Sequence, residues 1–127
     1  MSDDLAQAAF DGDLQQVARL LDAGADINQD GRNWNPLHAA IENANLACVE
    51  LLIRRGADIE HRAPGDMSPL AHAVDIAIDG TIQNGGNLGE DPTDVVRLLL
   101  KAGADPQSAL KVARAYGAKK MLELLTA

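Results

Sequence analysis

Apolar and polar positions follow a helical period along this chain, not a strand period. Leu37, Ala40 and Ile41 recur at spacings of three and four. After polar residues at Asn43 and Asn45, the run resumes as Leu46, Val49, Leu52 and Ile53. This pattern predicts two short helices joined by a turn. Pro36 falls in the first turn of the first helix, where its missing N–H costs nothing. Gly56 follows the second helix, at the place where left-handed backbone is wanted. Arg54 and Arg55 lie in the last turn, where positive charge suits the helix dipole.

The pattern repeats. Leu20-Leu21-Asp22-Ala23-Gly24-Ala25-Asp26-Ile27 returns as Leu52-Ile53-Arg54-Arg55-Gly56-Ala57-Asp58-Ile59, and again as Leu99-Leu100-Lys101-Ala102-Gly103-Ala104-Asp105-Pro106. The first two glycines are 32 positions apart and the next two are 47 apart. A second marker precedes the helix pairs, as Asn35-Pro36-Leu37-His38 and Ser68-Pro69-Leu70-Ala71, with the leucines 33 positions apart. Self-similarity at such a period signals a stack of equivalent units. The unit is about 33 residues, with one long insertion inside the third.

These residues resemble the ankyrin repeat family. Its signature is a Thr-Pro-Leu-His-x-Ala helix start, a Gly between the helices, and Val-Val-x-Leu-Leu-Leu-x-x-Gly-Ala-Asp. The resemblance implies an all-α solenoid of stacked helix-turn-helix units carrying short β-hairpin fingers. It divides the chain into an N-terminal cap repeat (1–29), a second repeat (30–60), a third (61–106) with an insertion near 76–90, and a C-terminal cap repeat (107–127). The first unit keeps Leu5, Ala8, Ala9, Gly12, Val17, Leu20 and Leu21 but lacks the Pro-Leu-His start. The last keeps Leu110, Ala113, Gly117, Leu122 and Leu125, after a hairpin that is shortened, and is expected to turn Lys119 and Lys120 outward.

The departures are local. Where the family places Gly at the finger tip, this chain has Asn33 and Asp66, which tolerate positive φ better than other residues with a side chain. Asn35 and Ser68 stand in place of Thr and still offer a side-chain oxygen to the helix start. His38 is kept, and the family pattern implies that its imidazole ties finger backbone to helix. The next unit has Ala71 instead. From its Leu to its closing Gly the second unit spans 19 residues and the third spans 33. Leu70, Ala73, Val74, Ala77, Ile78 and Ile82 keep the helical period, so the first helix of the third unit is expected to run on. Asn84-Gly85-Gly86-Asn87-Leu88-Gly89 then breaks it, and Asp91-Pro92 restarts the second helix. This insertion reads either as a flap shaping a binding surface or as a tolerated surface loop.

Composition narrows the function classes. There are 19 acidic and 11 basic side chains, for a net charge of −8. That argues against coating nucleic acid, which needs a basic footprint. Hydrophobic residues make up 46%, too many for a disordered chain, whereas aromatics are 2%, so the core must be thin and built on small side chains. A single cysteine, Cys48, excludes an internal disulfide and a cysteine-rich zinc module. It reads as a small buried hydrophobe. The Met-Ser-Asp-Asp start does not look secretory, and no apolar stretch approaches the roughly 18 residues of a membrane span. A cytoplasmic protein is expected.

No enzymatic constellation is present. His38, His61 and His72 have no metal-ligand spacing, and His72 reads as a packing or contact residue on a first helix. Ser2, Ser68 and Ser108 form no nucleophile elbow. Gly85-Gly86-Asn87-Leu88-Gly89 lacks the Lys and Ser/Thr of a phosphate loop. Asp75, Asp79, Glu90, Asp91 and Asp94 cluster near the insertion without the spacing of a calcium loop, and read as a solvated acidic rim. The expectation is no catalysis, no cofactor and no metal.

The ankyrin resemblance implies binding to other proteins through a concave face of finger tips and first helices. Carried over by position, the contact residues are Arg32, Trp34, Arg62 and Met67 on the fingers, and Phe10, Asp11, Glu42, Asn43, Asp75 and Ile76 on the first helices. Trp, Arg and Met are enriched where interfaces are tightest. Residues 1–96 hold 17 acids and 5 bases, whereas 97–127 hold 2 acids and 6 bases. The acidic part favours a basic protein partner, met by electrostatic steering. The expected function is therefore a non-catalytic binding module, monomeric when free, acting on a basic protein and not on nucleic acid or membrane. The chain also resembles short bacterial ankyrin proteins, some of which are dedicated inhibitors, including immunity proteins of toxins. The competing class is a structural or scaffolding subunit of a larger or self-associated assembly.

Overall fold

Eight helices follow one another in a computed structural model that describes residues 4–29, 35–43, 45–62, 67–83, 94–115, 117 and 119–126. They are α1 (Asp4–Asp11), α2 (Leu14–Asp22), α3 (Pro36–Glu42), α4 (Leu46–Arg54), α5 (Pro69–Gln83), α6 (Asp94–Lys101), α7 (Gln107–Ala115) and α8 (Lys119–Thr126). Each odd-numbered helix packs against the even-numbered one that follows it. The odd helices stack in the order α1, α3, α5, α7, and α2, α4 and α6 form a second layer. The finger tips at 30–34 and 63–66, with Asn33 and Asp66, lie outside the described residues. So do the glycine-rich stretch at 84–89 and the expected restart at Asp91-Pro92.

Local chemistry sets the helix ends. Asn35 caps α3, its Oδ1 accepting from the His38 N–H at 2.9 Å, with Pro36 in the first turn. Ser68 caps α5, its Oγ accepting from the Ala71 N–H at 3.1 Å. At the other end, α2, α4 and α6 close identically. Gly24 donates to the Leu21 carbonyl and Ala25 to that of Leu20; Gly56 and Ala57 do the same to Ile53 and Leu52, and Gly103 and Ala104 to Leu100 and Leu99. This pair of hydrogen bonds satisfies the last carbonyls and requires left-handed backbone, with φ of 97°, 94° and 104° at the three glycines.

Beyond each glycine the chain turns back on itself by the same device. Asp26 accepts from the Asn28 N–H, Asp58 from that of Glu60, and Asp105 from that of Gln107, all at 2.9–3.0 Å. Adjacent units are then laced together: Asn28 Oδ1 accepts from the Asp58 N–H, and Glu60 Oε2 from the Asp105 N–H, each at 2.8 Å. No finger fits between Gly103 and α7. Instead Ser68 Oγ donates to Ser108 Oγ, which donates to the Asp105 carbonyl, both at 2.8 Å. That hydroxyl chain joins the third unit to the C-terminal cap.

The core is one continuous thin layer. Leu37, Leu52, Leu70, Leu99, Val17, Val49, Val74 and Val96 are fully buried between helix pairs. Ala9, Ala40, Ala109 and Ala113, also fully buried, let the odd helices approach closely. Cys48 is buried among these residues, as the sequence implied. Met121 and Leu125 of α8 close the layer, and Lys119 is exposed. The helix α5 has 15 residues where α3 has seven, confirming the extension expected from the period of Leu70 through Ile82.

Candidate functional site

Side chains at the C-terminal ends of α1 and α3 and midway along α5 form one row. Phe10 is 37% exposed on α1. Asp11 beside it is exposed and accepts from Gln7 Nε2 at 3.0 Å. Asn43 is exposed yet engaged, its Nδ2 donating to the Phe10 carbonyl at 2.8 Å. Glu42 is half-buried and bonded to His72. Asp75 and Ile76 are half-buried on α5, with Ile76 packed against the core. On the finger stems, Arg62 is exposed and Met67 is half-buried against the core. Arg32 and Trp34 lie outside the described residues. The row thus joins Phe10, Asp11, Glu42, Asn43 and Asp75, but Asn43 and Glu42 also bind neighbouring units.

Beneath this row runs a chain of buried polar groups that sequence reading did not assemble. His38 Nε2 lies 2.8 Å from the His61 carbonyl oxygen, the finger tether expected of this histidine. Its Nδ1 lies 2.9 Å from Nδ1 of His72. His72 Nε2 lies 2.8 Å from Glu42 Oε1. The two rings are nearly parallel, with centroids 5.1 Å apart. His38 is 0% and His72 2% exposed, whereas the Glu42 side chain keeps 37% of its surface. Burial pushes the His72 imidazole below its ordinary value of 6.5, against an opposing pull from the Glu42 hydrogen bond and from the Glu42 and Asp75 charges. The available signal was the 34-residue separation of the histidines, close to one repeat, with Glu42 one helical turn after His38.

The nitrogens stand too close for a shared metal, since two ligands about 2.1 Å from a tetrahedral zinc are roughly 3.4 Å apart. Among the described residues, no group of three His, Cys, Asp or Glu side chains could hold a metal ion. No described helix is long and apolar enough to cross a membrane. A second surface lies on the layer of even helices, where Leu14, Ala18, Ala47 and Leu51 floor an open groove of about 380 Å³ edged by Gln15, Glu50 and Arg54. Leu14 there is 41% exposed. The sequence reading did not single out this groove.

Comparison with known proteins agrees with this architecture. The family pattern for ankyrin repeats, in three copies, matches residues 5–79. The chain belongs to the ankyrin repeat family. It is 35% identical over 99 residues to ankyrin repeat and SOCS box protein 5 of Bos taurus, which covers 77% of this chain and 25% of that protein. It is 35% identical over 98 residues to human protein phosphatase 1 regulatory subunit 27, covering 74% of this chain and 53% of that one. It is 37% identical over 67 residues to the 2-5A-dependent ribonuclease of Mus musculus, covering 51% of this chain and 9% of the ribonuclease. The chain therefore spans at most about half the length of these relatives. Ankyrin repeats are generally non-catalytic modules that bind other proteins. The similarity to the ribonuclease lies in the repeats alone.

Proposed function

We propose that this chain binds a basic protein partner through the concave face made by its first helices and fingers. The contact set is Phe10, Asp11, Arg32, Trp34, Glu42, Asn43, Arg62, Met67, Asp75 and Ile76. The observation that supports the reading is the row at the C-terminal ends of α1 and α3 and midway along α5. There Asp11, Glu42 and Asp75 recur near matching places of successive repeats, beside the exposed ring of Phe10. A carboxylate row of this kind steers a cationic surface, and an adjacent aromatic supplies desolvated contact. The narrower form of the proposal is a dedicated cytoplasmic inhibitor that works by occupying its partner, as immunity proteins do to toxins. Similarity to a protein named as a phosphatase regulatory subunit supports a role exerted on another protein.

The test is capture from native lysate by tagged chain at low and high salt, compared with the variant Trp34→Ala, Asp11→Lys, Asp75→Lys. Glu42 is left intact there, because reversing its charge would face a cation against His72. One stoichiometric basic partner is expected, lost at high salt and lost by the variant while its helical circular dichroism is retained. Equal capture by both chains would overturn the surface assignment. The apolar groove at Leu14 and Leu51 favours the second reading, a subunit of a larger or self-associated assembly. Light scattering over a concentration series separates the two: a stable homo-oligomer would support the assembly, and a monomer the binding module.

A further inference from the structure

The chain Glu42–His72–His38–His61 carbonyl contains three contacts at hydrogen-bond distance in series. Each contact needs one proton. The His61 carbonyl can only accept, so His38 must carry its proton on Nε2. His38 Nδ1 is then a bare acceptor, and His72 must donate from Nδ1. A neutral His72 has no proton left for Nε2, which faces a carboxylate that also only accepts when ionised. Two neutral imidazoles therefore supply two protons to three contacts. The series is complete only when one further proton is bound, and Glu42, His72 and His38 then sum to zero charge.

We propose that Glu42 and His72 form a proton-operated clamp, in which uptake of one proton locks the Glu42 side chain onto His72 and its loss frees that carboxylate for the partner-facing surface. The partner-facing consequence rests on the binding reading above; the clamp itself does not. The weak link is the Glu42 end. His38 is fully enclosed and held at both nitrogens, whereas the Glu42 side chain keeps 37% of its surface and can exchange His72 for water. An ionised carboxylate facing a bare nitrogen is repelled, so loss of the proton opens that contact and leaves the other two made.

Described groups on three neighbouring elements and on α5 itself bear on the uptake. His38 and Glu42 face His72 from α3, and Asp75 acts on it from its own helix. On the neighbouring α6 and α7, Arg97, Lys101, Lys111 and Arg114 are exposed to solvent, and Asp94 is half-buried. Burial disfavours the imidazolium more than the two carboxylates favour it, which sets the clamp to close below the ordinary imidazole range. At neutral pH the carboxylate is free to meet a cation. In acid it is neutralised by His72.

The substitution Glu42→Gln supplies the missing proton permanently, because an amide N–H can donate to a bare Nε2. The experiment is a nitrogen-15 and carbon-13 NMR titration of the full chain from pH 8 to pH 4, for wild type and Glu42→Gln. In the wild type, His38 is expected to keep its Nε2–H form throughout. His72 is expected to pass from an Nδ1–H neutral ring to the imidazolium below the ordinary imidazole pH, and the Glu42 carboxyl carbon to shift in the same step. In Glu42→Gln the His72 transition is expected to move further down. An imidazolium His72 across the whole range would overturn the clamp. So would a His72 step that the Glu42 carbon does not follow, or an unchanged midpoint in the variant. No partner is needed for these readouts, so failure of the clamp and failure of the binding reading remain distinguishable.

Discussion

Asn45 reaches back across the repeat boundary to α1, its Nδ2 donating to the Phe10 carbonyl at 2.9 Å and to the Ala9 carbonyl at 3.2 Å. Those carbonyls end α1, and the Ala9 oxygen also accepts from the Gly12 N–H at 3.2 Å. The side chain thus serves as a cap supplied by the next repeat, with Asn43 donating to the same Phe10 oxygen. Replacing Asn45 by Ala leaves the Ala9 carbonyl without this donor and removes one of two from Phe10. Asn45→Ala is expected to cost about 1–2 kcal/mol in urea unfolding. Asn43→Ala should cost less, because it removes one hydrogen bond where Asn45→Ala removes two.

Gly12 sits under that same amide. Its φ is +75°, and a Cβ there would stand 3.0 Å from Asn45 Oδ1. Gly24 has φ of +97° but nothing within 4 Å of the corresponding position. Both Gly→Ala changes incur the left-handed penalty, on the order of 1–2 kcal/mol. Gly12→Ala must in addition displace Asn45. Chemical denaturation should therefore rank Gly12→Ala as clearly more destabilising than Gly24→Ala. Equal losses would show that the Asn45 contact adds nothing.

Asn35 carries an imperfection. Its Oδ1 caps α3, but its buried Nδ2 has no hydrogen-bond partner among the described residues. Unmet burial of such a donor costs about 1–3 kcal/mol. Asn35→Thr keeps an oxygen for the His38 N–H and removes the orphaned amide. The expected result is a gain of about 1 kcal/mol, read as a higher urea midpoint at unchanged slope.

Acid should weaken the stack through His72. Its imidazole is held below the unfolded value of 6.5 by burial. Between the two values the unfolded chain binds more protons than the folded one, so stability falls as pH drops through the ordinary imidazole range. The fall from this source stops once the folded clamp takes up its own proton. Glu42→Gln should reshape the curve. Near pH 7.5 it is expected to match or exceed wild type by up to about 1 kcal/mol, because all three contacts are made. Near pH 5 it should be the less stable chain, since His72 has lost the carboxylate that accepts its charge. Urea unfolding at both pH values checks the crossing.

Cys48 is buried, and burial pushes its thiol above the ordinary value of 9.0, with the Asp13 charge adding to the rise. A neutral enclosed thiol is a poor nucleophile. Native protein is expected to react with a thiol reagent only at the rate of its opening, and urea should raise that rate steeply. Fast labelling without denaturant would contradict the packing of α4.

What the sequence alone determined is whatever depends on neighbours along the chain. Helix period, the glycine stops, the Asn35 and Ser68 caps and the extension of α5 are all decided within a few residues, where backbone sterics and hydrogen bonding act directly. The repeat spacing then implied the stack, because equivalent apolar faces can be buried only against one another. The tertiary structure decided which side chains meet across roughly 30–35 residues. Asn45 and Asn43 hold α1, and Glu42 answers to His72 as well as to solvent. Periodicity places a residue on a face but does not orient the last few torsions of its side chain. That is why Glu42 and Asn43 read as contact residues, and His72 as a packing or contact residue, with no sign that Glu42 and His72 meet. The groove floored by Leu14 and Leu51 arose the same way, from two small helices lying together with Ala18 and Ala47 between them.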